Sequence, residues 1–405
     1  MNLEEYLNKS HSPYQSVSVV KSRLDEAGYR AITMRDAADL APGKYYIPVY
    51  DTALFALNIP ETATKTIHIA TAHTDFPAFK VKPASAIGSV GNCKRINVEP
   101  YGGMLKRTWF DRPLGLAGAI WIRTDNPMKP ERILIDIDRP LFIIPSLAPH
   151  MDRDIESGKI DIQKELMPIY GLDNSDYELD DILAREACCS KEDILSMDLS
   201  LFLCENVVHA GASGEFILGP RIDNISSVAT LTEAMVDAQK DADYISIACL
   251  FDNEEIGSKT KQGADSNMLK LLLDRIDMDY NSSFMISVDG AHAVHPNYPE
   301  KSDITSKVEL GNGFVVKTSA SQRYATDGKL IAIIRGICDK NNIPVQIQAN
   351  RSGAPGGSTL GPIASAYVPV PTADVGVPML SMHSTYETVA ATDYDALLDF
   401  IKCIL

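Results

Sequence analysis

Apolar residues recur along this chain with two alternating rhythms, one helical and one strand-like. Over residues 16–28, SVSVVKSRLDEAG, Val19, Val20, Leu24 and Ala27 share one helical face and Gly28 ends the run, which predicts an amphipathic opening helix. YRAITM and KYYIPVY read as short strands, and TKTIHIATAHTD as a β-rich run that breaks off in polar residues. From Pro220 onward helix and strand patterns alternate. NISSVATLTEAMVDAQ, MLKLLLDRI, KLIAIIRGICDKN and YDALLDFIKCIL are helical, whereas YISIACLF, SFMISVD, PVQIQAN and VPMLSM are strand-like. Apolar strands separated by helices need cover on both faces, so the expected class is α/β: a mixed, largely parallel sheet sandwiched by helices.

Two small-residue stretches interrupt this pattern, PASAIGSVG at 83–91 and HAGASGEFILGPR at 209–221. Between them lie the strand-like GLAGAIWI and RILIDIDRPLFIIPSL and an acidic, polar part from Asp152 to Asp198. The division predicted is a discontinuous domain of residues 1–87 and 210–405 holding an inserted β-rich domain, 88–209. A length of 405 residues fits two domains.

Composition narrows the partners. The formal net charge of -16 disfavours phosphate backbones and anionic lipid surfaces, so neither nucleic acid nor membrane is an expected partner. MNLEEYLNKSHSPYQ has acids where a signal peptide needs basic residues, and no apolar run approaches the roughly 18 residues of a membrane span. Seven cysteines without a CxxC pair suit a reducing cytoplasm, and the adjacent Cys188 and Cys189 read as apolar fillers.

In an open α/β sheet, ligands bind beyond the carboxyl ends of the strands. The residues there form a consistent set: His73 and Asp75 in TAHTD, Glu254 and Glu255 in FDNEE, Asp289 in SVDGAH and His383 in LSMHS, with Asp223 just before a helix in PRIDN. Taken singly, each is more often a cap or a hydrogen-bonded loop residue. Together, imidazoles and carboxylates suit divalent zinc, cobalt or manganese, and a bridging carboxylate can hold two ions. Such a pair can share a hydroxide nucleophile and clamp an oxyanion, which points to amide hydrolysis. Adjacent Glu254 and Glu255 point in different directions, so one can bind metal while the other faces water. Asp75, two residues after His73, can orient that imidazole, the plainer alternative being a turn-forming aspartate. His292 and His295 are set aside as primary ligands because HExxH is absent and Pro296 would break a helix; His68 reads as a packed strand residue. No GxGxxG, P-loop, GxSxG or CxxC signature competes.

The motifs SPYQSV, AHTDFPAFKVKP, YGGMLKRTWFDRPLGLAG, PRIDN, DNEEIGS, DGAHAVHPNYPEK, QRYATD and GAPGGSTLGPI occur in an order that resembles the aspartyl aminopeptidase family of dinuclear metallopeptidases. The resemblance implies that Asp223 bridges two metals, with His73 and Asp289 completing one site and Glu255 and His383 the other. It makes Glu254 the general base and His150, in SLAPHMDR, a residue reaching a neighbouring subunit's active site. It also implies two divalent ions per subunit, zinc foremost, with short peptides as substrates. The inserted domain would mediate dimerisation, and dimers would build a tetrahedral homododecamer. Two departures stand out. Ser321 lies where some members carry a basic residue before QRYA, which weakens the case for an acidic substrate preference. Tyr386 follows the last ligand in HSTYETVAATD, where relatives commonly place Arg, and is expected to reshape the substrate pocket. A cocatalytic deacylase or carboxypeptidase of similar fold, and a catalytically silent shell-forming protein, are the alternatives.

Overall fold

The structure, a computed structural model, describes residues 1–153, 158–238, 242–354 and 356–405. The larger domain is built on a nine-stranded sheet in the order Arg30–Ala31, Gly43–Val49, Ala53–Ile59, Ile245–Phe251, Ile67–His73, Phe284–Val288, Thr372–Gly376, Phe314–Thr318 and Val345–Ala349. Its four middle strands, from Ile245–Phe251 to Thr372–Gly376, run parallel. Antiparallel pairings involving Ala53–Ile59 and Phe314–Thr318 make the whole mixed.

Alternation along the strands sends successive side chains into two cores. Leu54, Ala70, Leu250 and Val288 pack with the helices Pro13–Glu26, Ile222–Asp237 and Ala391–Lys402 on one face. Phe55, Ile69, Phe251 and Met285 pack with Leu269 and Leu272 of Met268–Ile276 on the other. Because both faces are covered, Ile245–Phe251 is buried at every position and reads as an unbroken apolar run.

The second sheet has six antiparallel strands ordered Glu131–Phe142, Leu114–Ile122, Ile194–Leu203, Ala78–Val90, Cys93–Tyr101 and Ile169–Leu172, with its own core. Its strand Ala78–Val90 begins ahead of the crossing expected at residue 88. A third sheet joins Val208–Ala210, Phe216–Gly219, Glu387–Ala390, Pro378–Leu380 and Ala291–His292. This corrects the reading of VPMLSM as a strand of the main sheet. The main sheet instead takes Thr372–Gly376, whose sequence TADVG has few large apolar residues yet is buried throughout. Among the described residues, no helix is long and apolar enough to cross a membrane.

Candidate metal centre

His73 pairs in register with Phe251 on the neighbouring parallel strand, so the chain leaves both strands at one edge. Asp75 follows the first, and Glu254 and Glu255, in a short turn of 3-10 helix, follow the second. Asp289 follows Phe284–Val288 at the same edge. Asp223 starts the helix Ile222–Asp237, where Asp223 and Asn224 are still non-helical; Asn224 Nδ2 donates to Val288 O at 2.9 Å and ties this turn to the strand before Asp289. His383 follows Pro378–Leu380 of the third sheet. Asp223 stands at a helix start as expected, whereas His383 comes from the third sheet rather than from a strand end of the main one, and all seven residues converge.

Two groups of ligand atoms form, one from His73, Asp223 and Asp289 and one from Asp223, Glu255 and His383, each with its atoms within 4.8 Å of one another. Asp223 belongs to both. His73 Nε2 lies 3.4 Å from Asp289 Oδ1 and 3.7 Å from Asp223 Oδ1, and His383 Nε2 lies 3.4 Å from Glu255 Oε2 and 3.5 Å from Asp223 Oδ2. These separations are long for direct hydrogen bonds. They match the roughly 3.4 Å between two ligand atoms each about 2.1 Å from one tetrahedral ion. Asp223 Oδ1 and Glu255 Oε1 are buried without a hydrogen-bond partner among the described residues, as oxygens reserved for a cation would be.

The surroundings fix the donors. His73 Nδ1 lies 3.0 Å from Asp75 O and His383 Nδ1 lies 3.0 Å from Gly103 O. A carbonyl only accepts, so each Nδ1 carries a hydrogen, which leaves each Nε2, turned toward the carboxylates, as the atom that would bind a metal. Asp75, fully buried, accepts from the backbone N–H groups of Glu254 and Glu255 at 3.1 Å each and from Tyr101 Oη at 2.6 Å. Two residues that the sequence reading passed over complete the frame. Buried Glu387 accepts from Asp223 N at 2.9 Å and His383 N at 2.7 Å, and Lys317 Nζ sits 3.7 Å from Asp289 Oδ2.

Charge is the centre's unresolved element. Burial pushes Glu254 up to about 8, with Asp289, Asp75 and Asp223 adding to the rise and His73 opposing it. Burial and the Asp223 charge likewise push Glu387 up to about 8 and hold Glu255 well above the ordinary carboxyl range. Burial works against a charged His383, yet Asp223 and Glu255 raise it to about 10. So many carboxylates gathered out of water hold protons that divalent cations would displace, and the nitrogen and oxygen donors fit zinc.

The family model of aminopeptidase I zinc metalloproteases (M18) matches residues 6–403. The chain belongs to the M18 aminopeptidases. Membership makes it a hydrolase of a zinc family. A Clostridium acetobutylicum protein described as "Probable M18 family aminopeptidase 2" is 38% identical over 411 residues, covering 97% of this chain and 95% of its own. An Ape4, solved by cryo-electron microscopy in complex with Nbr1, superposes with a TM-score of 0.93 at 28% identity, covering 99% of this M18 chain and 84% of that chain. The mApe1 dodecamer of S. cerevisiae gives a TM-score of 0.85 at 24% identity, over 99% and 94% of the two chains, a likeness of fold.

The remaining sequence candidates fall elsewhere in this M18 chain. His150 is exposed on the loop after Glu131–Phe142 and does not line its own chain's metal pocket. His292 lines that pocket and His295 does not; neither joins a ligand group. His68 is a packed strand residue, its Nδ1 2.7 Å from Ile404 O and its ring stacked on Tyr244. Ser321 is exposed, its Oγ 3.0 Å from that of Ser319. Tyr386 corrects the expectation that it shapes the substrate pocket: its hydroxyl donates to Asn206 O and its ring packs on the core of the six-stranded sheet.

Proposed function

We propose that this M18 chain is a dinuclear aminopeptidase releasing N-terminal residues from short peptides. Asp223 would bridge two divalent ions, His73 and Asp289 completing one site and Glu255 and His383 the other. Zinc is the first choice, and cobalt or manganese suit the same donors. The observation that carries this reading is the pair of ligand groups sharing Asp223, with Glu254 left over: its Oε2 stands 4.0 Å from His73 Nε2, yet it joins neither group.

Bound ions supply Lewis acidity at the scissile carbonyl and at the attacking water. Glu254 lines the pocket without joining a ligand group, and its free carboxylate suits a base that takes a proton from water and returns it to the leaving amine. Asp75 aims this step indirectly, because it holds the backbone of both glutamates and flanks His73. The pocket encloses about 490 Å³, with room for the end of a peptide rather than a folded protein. We assign the segment 88–209 to dimerisation, twelve chains to the assembled shell, and His150 to a neighbouring subunit's pocket. The mApe1 dodecamer supports that assembly by likeness of fold. Free cysteine thiols suit the cytoplasm we assign it to.

The test is a zinc-loaded assay on free-amine dipeptides and their Nα-acetylated counterparts. Cleavage of the free-amine set alone is expected; preference for the acetylated set would make the chain a deacylase. Glu254→Gln should keep two ions per chain and lose on the order of a hundredfold in turnover. Full activity in that variant would remove Glu254 as the base.

A further inference from the structure

A second cavity, of about 310 Å³, shares His292, Tyr324 and Gly357 with the metal pocket as wall residues. Its charge is of the opposite kind. The metal pocket is lined by four carboxylates against one lysine, whereas this cavity brings together His295, Lys301 and Arg351 in a chain of net charge -16. Among the described residues, Lys301 and Arg351 have no carboxylate in ion-pair range. Asp303, the acid in the cavity wall, uses Oδ1 to cap its own turn, accepting from Thr305 N at 2.9 Å, Ser306 N at 3.0 Å and Thr305 Oγ1 at 3.0 Å. Among the described residues, neither cation of this cavity has a carboxylate partner, although the cavity adjoins the carboxylate-lined metal pocket.

We infer that this cavity reads the C-terminal carboxylate of a short peptide whose N-terminal residue lies at the metals, an inference that rests on the aminopeptidase reading above. An arginine fork pairs with a carboxylate through two parallel hydrogen bonds, and the nearby lysine adds a point charge. Gln348 decides which carboxylate. It lines the same cavity, Nε2 donates to His292 O at 3.2 Å, and its buried Oε1 has no partner. The last residue of a peptide brings a backbone N–H for that oxygen beside its carboxylate. An acidic side chain on the released residue brings the carboxylate alone. The substrate class is therefore small peptides with a free C-terminus, and long or C-terminally amidated peptides lose the contact.

The experiment uses the zinc-loaded full chain and compares Leu-Ala-Ala with its C-terminal amide, then Asp-Ala-Ala with its amide. For both pairs the free acid should have a KM roughly tenfold below that of the amide, the size of a hydrogen bond to a charged group. In Arg351→Gln, and further in Arg351→Gln with Lys301→Gln, that ratio should fall towards one. Both side chains are exposed, so neither change removes a core contact. Equal KM values for acid and amide in the unaltered enzyme overturn the inference. So does a variant that loses preference for Asp over Leu while keeping its acid-to-amide ratio, because the cations would then read the side chain. Hydrolysis of the amides keeps the tests separate: if neither acids nor amides are cleaved, the aminopeptidase reading itself has failed.

Discussion

At the scale of single residues, the candidate centre depends on side chains whose positions follow from strand ends and on others, Asp223, Glu387 and Lys317, whose positions do not. His73, Glu254, Glu255 and Asp289 were legible because each follows an apolar strand run, and polar residues there face the crevice. Glu387 carried no such signal; it begins a short strand of the third sheet, and its importance appears once Asp223 and His383 are seen to share it. Lys317 was hidden in the strand FVVKT, where a lysine looks like an edge residue. One buried carboxylate that receives the backbone N–H of both the shared aspartate and a ligand histidine should set the spacing of the second ion site. Glu387→Gln replaces one accepting oxygen with a donating amide, which then opposes an N–H. Zinc affinity should fall roughly 10- to 100-fold, measured by chelator competition. An unchanged affinity would reduce Glu387 to a packing role.

At the scale of elements, the alternating helix and strand patterns after Pro220 were legible because parallel strands covered on both faces are continuous apolar runs. What escaped was Thr372–Gly376, since buried small and acidic residues lack that signature; Asp374 in it is satisfied by Thr359 Oγ1 and Ala325 N. Its last residue explains the small side chain: a Cβ on Gly376 would sit 1.5 Å from Asp289 O. Gly376→Ala must push the Asp289 strand end away, so both the thermal midpoint and zinc stoichiometry should fall; retention of two ions per chain would show that the strands can part without disturbing the site. The two opening helices, Leu3–Lys9 with Tyr6 and Pro13–Glu26 with Arg23, are tied down differently. Glu233 of Ile222–Asp237 accepts from Tyr6 Oη at 2.7 Å and from Arg23 Nε at 2.9 Å and Nη2 at 2.8 Å. Burial works to raise the Glu233 carboxyl, but Arg23 and Tyr6 bring it below its ordinary value of 4.5. A carboxyl depressed on folding stabilises fully above its unfolded pKa and loses that contribution as pH falls through the folded value. Stability of the unaltered chain should therefore drop below about pH 4.5 more steeply than that of Glu233→Gln. Parallel acid transitions in the two proteins would show that this pair does not govern the docking.

At the scale of the whole molecule, sequence periodicity describes one chain and is silent about contacts between chains. That is why His150 could be read only through a family resemblance, and why it stands exposed on its own subunit, outside its own pocket. The proposed assembly of twelve 44.3 kDa chains predicts a particle of roughly 530 kDa by light scattering. It also predicts something that a monomer cannot do. If each pocket takes His150 from a neighbour and Glu254 from its own chain, then His150→Ala and Glu254→Gln damage different halves of a composite site. Each variant alone should be nearly inactive. Mixed assemblies place intact Glu254 of a His150→Ala chain beside intact His150 of a Glu254→Gln chain, and that pocket has every group. Co-expression should therefore restore a fraction of the unaltered turnover, at most about one quarter if partners pair at random and each pocket needs one subunit of each kind in the right order. Activity no greater than the sum of the separate variants would place His150 in its own chain's site or outside catalysis, and a particle of monomer mass would exclude the shared pocket directly.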